Sequence, residues 1–269
     1  MTNDGNSQSY AVLIDADNAS AKYAHAIFEE IAKFGEANVR RIYGDFSGTR
    51  LSAWNQAIQS LAILQHQQRN NTTGKNAADI ALVIDAMDLM HKGKLDGFCL
   101  VSSDSDFTRL AQRLREENLD VIGFGEAKTP SAFINACNKF TYVENLLAED
   151  VADETEMKGK ESAPKSSLAK PAEIGKSKQT GPSTQPLTKA VPLILKAMKQ
   201  MGEEEEEGDG WYHLGRVGTV LRKLHPDFDP RTYGCIKLSD LAAKTGQFQT
   251  KRPRGAGTMI ARKPQKSTK

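Results

Sequence analysis

The sequence has few cysteines and no long apolar run, and both shortages restrict the kind of protein it encodes. Its three cysteines among 269 residues, Cys99, Cys137 and Cys235, are scattered and odd in number, without the close pairs of a zinc site or a disulfide framework. A reducing, cytoplasmic environment is therefore expected. No stretch approaches the roughly 18 apolar residues of a membrane span, and residues 1–9 lack the basic and apolar segments of a secretory signal. We therefore expect no membrane association.

The overall net charge of +2 conceals a strong asymmetry between the two halves of the chain. Residues 1–150 carry 14 Lys and Arg against 20 Asp and Glu, a net charge of −6. Residues 151–269 carry 22 against 14, a net charge of +8. An acidic front and a basic back are typical of a metal site followed by a nucleic-acid-binding part, although drift of surface charge gives the same asymmetry.

Apolar runs alternate with amphipathic stretches over the first half of the chain. Short strands are predicted at 10–14, 38–44, 62–66, 97–101, 120–125 and 141–143. Helical patterns at 19–34, 50–59, 76–91, 107–118 and 131–137 separate them. Such alternation predicts right-handed β-α-β units and a mainly parallel sheet covered by helices on both faces. The fold class is therefore α/β, with this domain at 9–147.

The second half begins with a stretch that has almost no large apolar residues. Residues 148–188 are rich in Lys, Ser, Pro, Gly, Glu and Thr, which predicts a disordered linker. Such a linker would keep two domains near each other without fixing their geometry. Three short helical patterns and a terminal hairpin around the basic residues 251–255 then describe a small winged-helix domain at 189–265.

Two strands of the predicted sheet end in the same pattern of acids. Asp15 and Asp17 follow the first strand, Asp104 and Asp106 follow the fourth, and Asp79 lies near the start of a helix between them. These strands are neighbours if the chain reverses at the first strand, and ligands bind at that edge. Carboxylates this close need raised pKa values or a cation between them, and oxygen ligands select Mg²⁺ or Mn²⁺ over Zn²⁺. We interpret Asp15, Asp79 and Asp104 as metal ligands of a site that hydrolyses phosphodiesters.

Further residues complete this hypothesis. Asn18 and Ser103 are interpreted as polar residues that help to bind and position the substrate, and Lys75 as a contact to a phosphate. Asp106 is either a ligand through water or the N-cap of the helix that follows it. Asp85, in the middle of the long helix, is either a second buried acid of the site or a partner of the backbone or of a basic residue.

At these residues the chain resembles the NYN domain family, relatives of the PIN-domain ribonucleases. The matching segments are Leu-Ile-Asp-Ala-Asp-Asn at 13–18, Gly-Lys-Asn-Ala-Ala-Asp-Ile at 74–80 with 82–87, and Leu-Val-Ser-Ser-Asp-Ser-Asp-Phe at 100–107. The resemblance implies a PIN-like three-layer α/β/α fold and RNA as the substrate. It also implies a metal-dependent ribonuclease centre with acids at Asp15, Asp79, Asp104 and Asp106.

The C-terminal part resembles an OST-HTH or LOTUS module. The most unusual match is Phe-Asp-Pro-x-x-Tyr-Gly at 228–234, before Lys237 and Leu238; Trp211, Leu214, Gly215 and Pro226 also match. The resemblance implies RNA binding or docking of protein partners. Basic residues are candidates for phosphate contacts: Arg252, Arg254, Arg216, Arg222, Lys223, Arg231, Lys237 and Lys251.

The sequence therefore predicts a cytoplasmic, Mg²⁺- or Mn²⁺-dependent ribonuclease, expected to be an endonuclease, with a C-terminal LOTUS-like RNA-binding module. One open alternative is a non-catalytic RNA-binding or scaffolding protein that retains the acidic fold. Another is a small-molecule phosphatase of the haloacid dehalogenase type, which also opens with Asp-x-Asp. Asn18 and Ala19 stand here in place of the usual Gly and Thr or Val, which weakens that reading. No Gly-x-Gly-x-x-Gly follows the first strand, which disfavours a dinucleotide site. The oligomeric state stays open.

Overall fold

Two sheets organise the residues that the computed structural model describes, which are 7–68, 76–147, 184–202, 210–253 and 257–264. The first sheet belongs to an N-terminal domain and the second to a smaller C-terminal domain. Within these ranges, no helix has both the length and the apolar content needed to cross a membrane.

The N-terminal sheet has six strands, all of them parallel, in the order β3-β2-β1-β4-β5-β6. The chain reverses at β1, so that the first and fourth strands are neighbours, as predicted. Every residue of β4 is buried, because helices cover both faces of the sheet. The strands are β1 (Ser9–Asp15), β2 (Glu36–Gly44), β3 (Leu64–Gln67), β4 (Gly97–Val101), β5 (Asp120–Gly125) and β6 (Lys139–Tyr142).

Five helices form the two outer layers of this domain. On one face, α1 (Ala24–Ala32) and α2 (Trp54–Ser60) pack on alternate residues of the central strands. On the other face lie α3 (Ala77–His91), α4 (Thr108–Glu116) and α5 (Ser131–Ala136). The predicted three-layer α/β/α fold is confirmed.

The C-terminal domain packs three helices on a three-stranded antiparallel sheet. Its helices are α6 (Ala190–Met201), α7 (Leu214–Leu224) and α8 (Leu238–Lys244). Its strands are β7 (Trp211–His213), β8 (Phe248–Lys251) and β9 (Met259–Arg262), in the order β7-β9-β8. One apolar cluster joins all three helices to the hairpin, which confirms the predicted small winged-helix domain.

The C-terminal domain begins a few residues before the predicted boundary at 189. Leu187–Lys189 form a 3-10 turn, and the N–H of Gln185 donates to the carbonyl of Thr232 at 2.8 Å. Apart from its last five residues, the predicted linker at 148–188 lies outside the described residues.

The two domains contact each other along β6 and α1. The N–H of Phe140 in β6 donates to the carbonyl of Pro226 at 2.9 Å, and Arg231 forms an ion pair with Glu30 of α1 at 3.1 Å. The sequence predicted two tethered domains without fixed geometry, and the structure places the two domains in direct contact.

Candidate active site

Asp15 ends β1 and lies at the centre of the carboxyl edge of the sheet, with 1% of its surface exposed. Its Oδ1 accepts the backbone N–H groups of Asp17 and Asn18, at 3.1 and 3.3 Å. Its Oδ2 accepts the Asn18 amide at 2.8 Å and the Ser102 hydroxyl at 2.7 Å. Burial raises the pKa of Asp15, and these hydrogen bonds oppose that rise. Four donors thus hold one buried carboxylate in a single orientation.

Asn18 and Ser103 were predicted to bind and position the substrate, and in the structure both form hydrogen bonds within the protein. The Asn18 amide lies on Asp15. The Ser103 hydroxyl accepts the N–H of Glu126 at 2.9 Å and so ties the end of β4 to the loop after β5. In this structure, both residues fix the shape of the edge.

Asp104 and Asp106 occupy the turn between β4 and α4. The N–H of Asp104 donates to Ser102 Oγ at 3.0 Å, and its carboxylate accepts the N–H of Asp106 at 2.9 Å. The predicted N-cap at Asp106 is wrong: Asp104 caps the turn, because a 3-10 segment, Ser105–Phe107, precedes the helix. Asp106 is exposed, and its carboxylate accepts the Asn76 amide at 3.3 Å.

Asp79 is the third residue of α3 and faces the other acids of the edge. Burial, followed by the negative charges of Asp15 and Asp104 and then of Asp17 and Asp106, raises the pKa of Asp79 to about 6. The structure therefore brings together the four predicted acids and adds Asp17 as a fifth.

Three polar residues at this edge were missing from the sequence-based site. Ser102 joins Asp15 to Asp104, and its position directly after β4 is the signal that would have identified it. Asn76 precedes α3 and reaches Asp106. Arg50 forms an ion pair with Asp17, and no sequence pattern points to it.

The other predicted substrate contacts lie elsewhere. Lys75 and Arg254 lie outside the described residues. Arg252 is exposed and follows β8 directly, in the C-terminal domain.

The donor set of the edge fits a hard divalent cation in charge and chemistry. Asp15, Asp79 and Asp104 offer carboxylate oxygens, and a cation would relieve the repulsion that raises the pKa of Asp79. Among the described side chains, no group of three or more His, Cys, Asp or Glu is placed to hold a metal ion as it stands. The edge thus has the composition of a cation site without a preformed set of ligands.

Asp85 belongs to a separate polar cluster, two turns further along α3. Its carboxylate accepts hydrogen bonds from Arg41 and from the Tyr43 hydroxyl, both on β2, and His66 of β3 lies against the Tyr43 ring with centroids 4.9 Å apart. These bonds lower the pKa of Asp85 although burial would raise it. Of the two readings of Asp85, the structure supports the partner of a basic residue.

A second polar surface lies on the C-terminal domain. An open groove of about 640 Å³ runs between the start of α7 and the start of α8. Three basic side chains, Arg216, Arg222 and Lys237, line it together with Thr219 and Ser239. Charge of this sign with small polar residues suits a phosphate backbone.

Family models match both domains. The NYN domain matches residues 9–146 and the OST-HTH/LOTUS domain matches residues 183–260. A solved protein of unknown function from Vibrio parahaemolyticus is 18% identical; the match covers 52% of this chain and 94% of that chain, with a TM-score of 0.44. An uncharacterized protein from Nitrosomonas europaea is 34% identical, over 38% of this chain and 93% of that chain, with a TM-score of 0.23. No curated protein matches significantly.

Proposed function

Because the chain belongs to the NYN domain family and carries an OST-HTH/LOTUS domain, we propose that it is a metal-dependent endoribonuclease. The NYN domain suggests a nuclease, and the OST-HTH/LOTUS domain suggests RNA binding. The observation that carries the proposal is the group of five carboxylates at the edge, where burial and the charges of the other four raise the pKa of Asp79 to about 6.

The acids have distinct roles in this proposal. Asp15, Asp79 and Asp104 would hold Mg²⁺ or Mn²⁺, which neutralises their charge and polarises a phosphate oxygen when bound. Asp15 is fixed by its four donors, so its orientation does not depend on the ligand. Asp106, exposed beside Asn76, orients the attacking water and accepts its proton.

The basic groove of the C-terminal domain supplies RNA affinity. Contacts from Arg216, Arg222 and Lys237 to phosphates are independent of base sequence, and they weaken as the salt concentration rises. We therefore expect substrate affinity, more than the rate of the bound complex, to depend on salt.

Cleavage of RNA tests the assignment directly. An end-labelled pool of single-stranded and structured RNA is incubated with Mg²⁺, Mn²⁺ or EDTA, and products are followed for the full chain and for Asp104→Asn. We expect internal cleavage that EDTA abolishes, and at least a 100-fold loss in Asp104→Asn because general acid–base and metal groups contribute factors of this order.

Asp88→Asn is the matched control, since Asp88 is an exposed acid on α3 outside the cluster. It should cleave like the wild type. Undiminished cleavage by Asp104→Asn would remove the acids from the mechanism.

A non-catalytic RNA-binding protein is the second candidate, favoured by the placement of the basic groove on a different domain from the acidic edge. RNA retention by the full chain without any divalent-dependent cleavage would establish it.

A further inference from the structure

The turn that carries the Phe-Asp-Pro-x-x-Tyr-Gly motif of the C-terminal domain, together with Pro226 and Asp227, packs against the N-terminal domain. Its carbonyl at Pro226 accepts the N–H of Phe140 at 2.9 Å, on β6, the edge strand of the sheet. Next to it, Asp227 accepts the hydroxyl of Tyr142 at 2.8 Å, also on β6. The turn thus packs on the edge strand β6, whose unpaired backbone groups would otherwise face water.

The contact continues beyond the strand into the segment that follows β6. The amide of Asn145 donates to the hydroxyl of Thr232 at 2.9 Å. Asn145 is buried although it is polar, and Thr232 is the partner that satisfies its amide.

A buried ionic network forms the centre of the contact. Glu30 of α1 has 4% of its surface exposed, and both of its oxygens accept the guanidinium of Arg231 at 3.1 Å. Asp229 holds the same guanidinium from within the turn, at 2.6 to 2.8 Å. Lys139 of β6 approaches Glu30 at 3.3 Å. Separation of the domains would break the Glu30–Arg231 pair, the only ion pair among the described residues of this network that crosses the contact, while Glu30 keeps Lys139 and Arg231 keeps Asp229. Loss of a partner from a buried ion pair is costly, so this pair favours the docked arrangement.

Arg231 was among the predicted phosphate contacts, and this network overturns that prediction. Its side chain is 11% exposed and pairs with two carboxylates. The family motif around it therefore serves contact between domains.

The docking face and the basic groove use different residues. The docking face consists of residues 226–232, whereas the groove is lined by residues of α7, the start of α8 and the segment 257–258. RNA can therefore occupy the groove while the domains stay docked.

We propose that the two domains are one rigid unit in solution, locked by the Glu30–Arg231 network, and that this dock fixes the groove relative to the acidic edge. The functional half of this proposal rests on the proposed ribonuclease activity. RNA long enough to reach both surfaces is then held in a set register, and the length of segment 148–183 has no influence on cleavage.

Rotational diffusion of the full chain tests the dock without reference to activity. Amide ¹⁵N relaxation should give one correlation time for both domains in the wild type. Arg231→Gln and Glu30→Gln should each give two shorter correlation times, one for each domain. The double variant should shorten these times little beyond either single variant. Tyr142→Phe removes only the hydroxyl that binds Asp227. It should weaken the contact between the domains, and so shorten the correlation times, without unfolding either domain.

Lys33→Gln is the matched control. Lys33 also bonds Glu30, at 2.9 Å, but directly follows the same helix in the same domain and is 53% exposed. It should leave a single correlation time. Separate tumbling of the domains in the wild type overturns the proposal.

Insertion of 36 Gly and Ser residues into segment 148–183 tests the functional consequence. For docked domains, the cleavage rate of a 60-nucleotide oligouridine stays unchanged. For domains joined only by a tether, doubling the segment lowers the effective concentration, and the rate with it, by about threefold. If the insertion lowers the cleavage rate of the otherwise wild-type chain threefold, the proposed fixed register of the RNA is overturned. A chain that tumbles as one body but cleaves no RNA refutes the ribonuclease and leaves the dock standing.

Discussion

At the residue scale, the acidic edge places several negative charges where they repel one another. The clearest sign is Asp79, whose pKa rises to about 6 through burial and through its acidic neighbours. In the unfolded chain this carboxyl has a pKa near 3.8. The folded state therefore binds the proton more tightly, and stability falls as the pH rises from about 4 to about 6. Functional sites commonly carry such a cost.

Asp79→Asn is therefore expected to stabilise the fold at pH 7 in EDTA. Two pKa units correspond to about 2.7 kcal/mol, which solvent screening of this partly exposed group reduces to about 1 to 2 kcal/mol. Urea unfolding in EDTA measures the difference in unfolding free energy between Asp79→Asn and the wild type. In 10 mM Mg²⁺ this difference should become smaller, because a bound cation offsets the repulsion in the wild type. Asp88→Asn should change the unfolding free energy by less than about 0.5 kcal/mol. A destabilised Asp79→Asn would contradict the electrostatic account.

At the element scale, α3 carries both the site and its anchor. Asp79 lies in its first turn, and Asp85 lies two turns later, where it is bound by Arg41 and Tyr43 of β2. The Asp85 cluster therefore ties the helix to the sheet and sets the position of Asp79.

Asp85→Asn should lower the unfolding free energy by about 2 kcal/mol, since it weakens one charged pair and one hydrogen bond that are only partly exposed. It should also slow cleavage, because α3 is then less firmly held. Urea unfolding and the cleavage assay measure the two effects on one preparation. An Asp85→Asn variant as stable as Asp88→Asn would show that the cluster does not anchor the helix.

Element-level prediction was most successful where burial is two-sided. The runs of β1 and β4 are apolar almost throughout, so their assignment as central parallel strands needed no tertiary information. The start of α4 was less predictable. Asp104 and Asp106 are equally good caps by composition, and only the 3-10 segment Ser105–Phe107, which contains Asp106, makes Asp104 the cap.

At the scale of the whole molecule, Glu30 links stability to pH through the contact between domains. Burial alone would raise the pKa of Glu30, but Arg231, Lys33 and Lys139 lower it from 4.5 to about 2. A lowered pKa means that ionised Glu30 stabilises the folded chain above about pH 4.5, and that this contribution is lost as the pH falls towards 2.

We therefore expect the unfolding free energy of the wild type to fall more steeply between pH 4.5 and 2 than that of Glu30→Gln. Denaturant unfolding at half-unit pH steps measures both slopes, and Lys33→Gln should keep most of the wild-type slope. If the unfolding free energies of the wild type and Glu30→Gln fall with pH at the same slope, the pKa of Glu30 is not lowered by Arg231 across the contact.

The sequence by itself determined the two folds, the order of the acidic strand ends and the basic character of the back half. It could do so because periodicity, two-sided burial and composition are local properties of the chain. Tertiary structure alone decided which groups hold Asp15, which acid caps the 3-10 turn before α4 and that the domains dock. Glu30 and Arg231 are 201 positions apart, and each taken alone resembles an ordinary surface charge. Pairing between two such charges depends on how two finished surfaces fit together, and no local pattern encodes that fit.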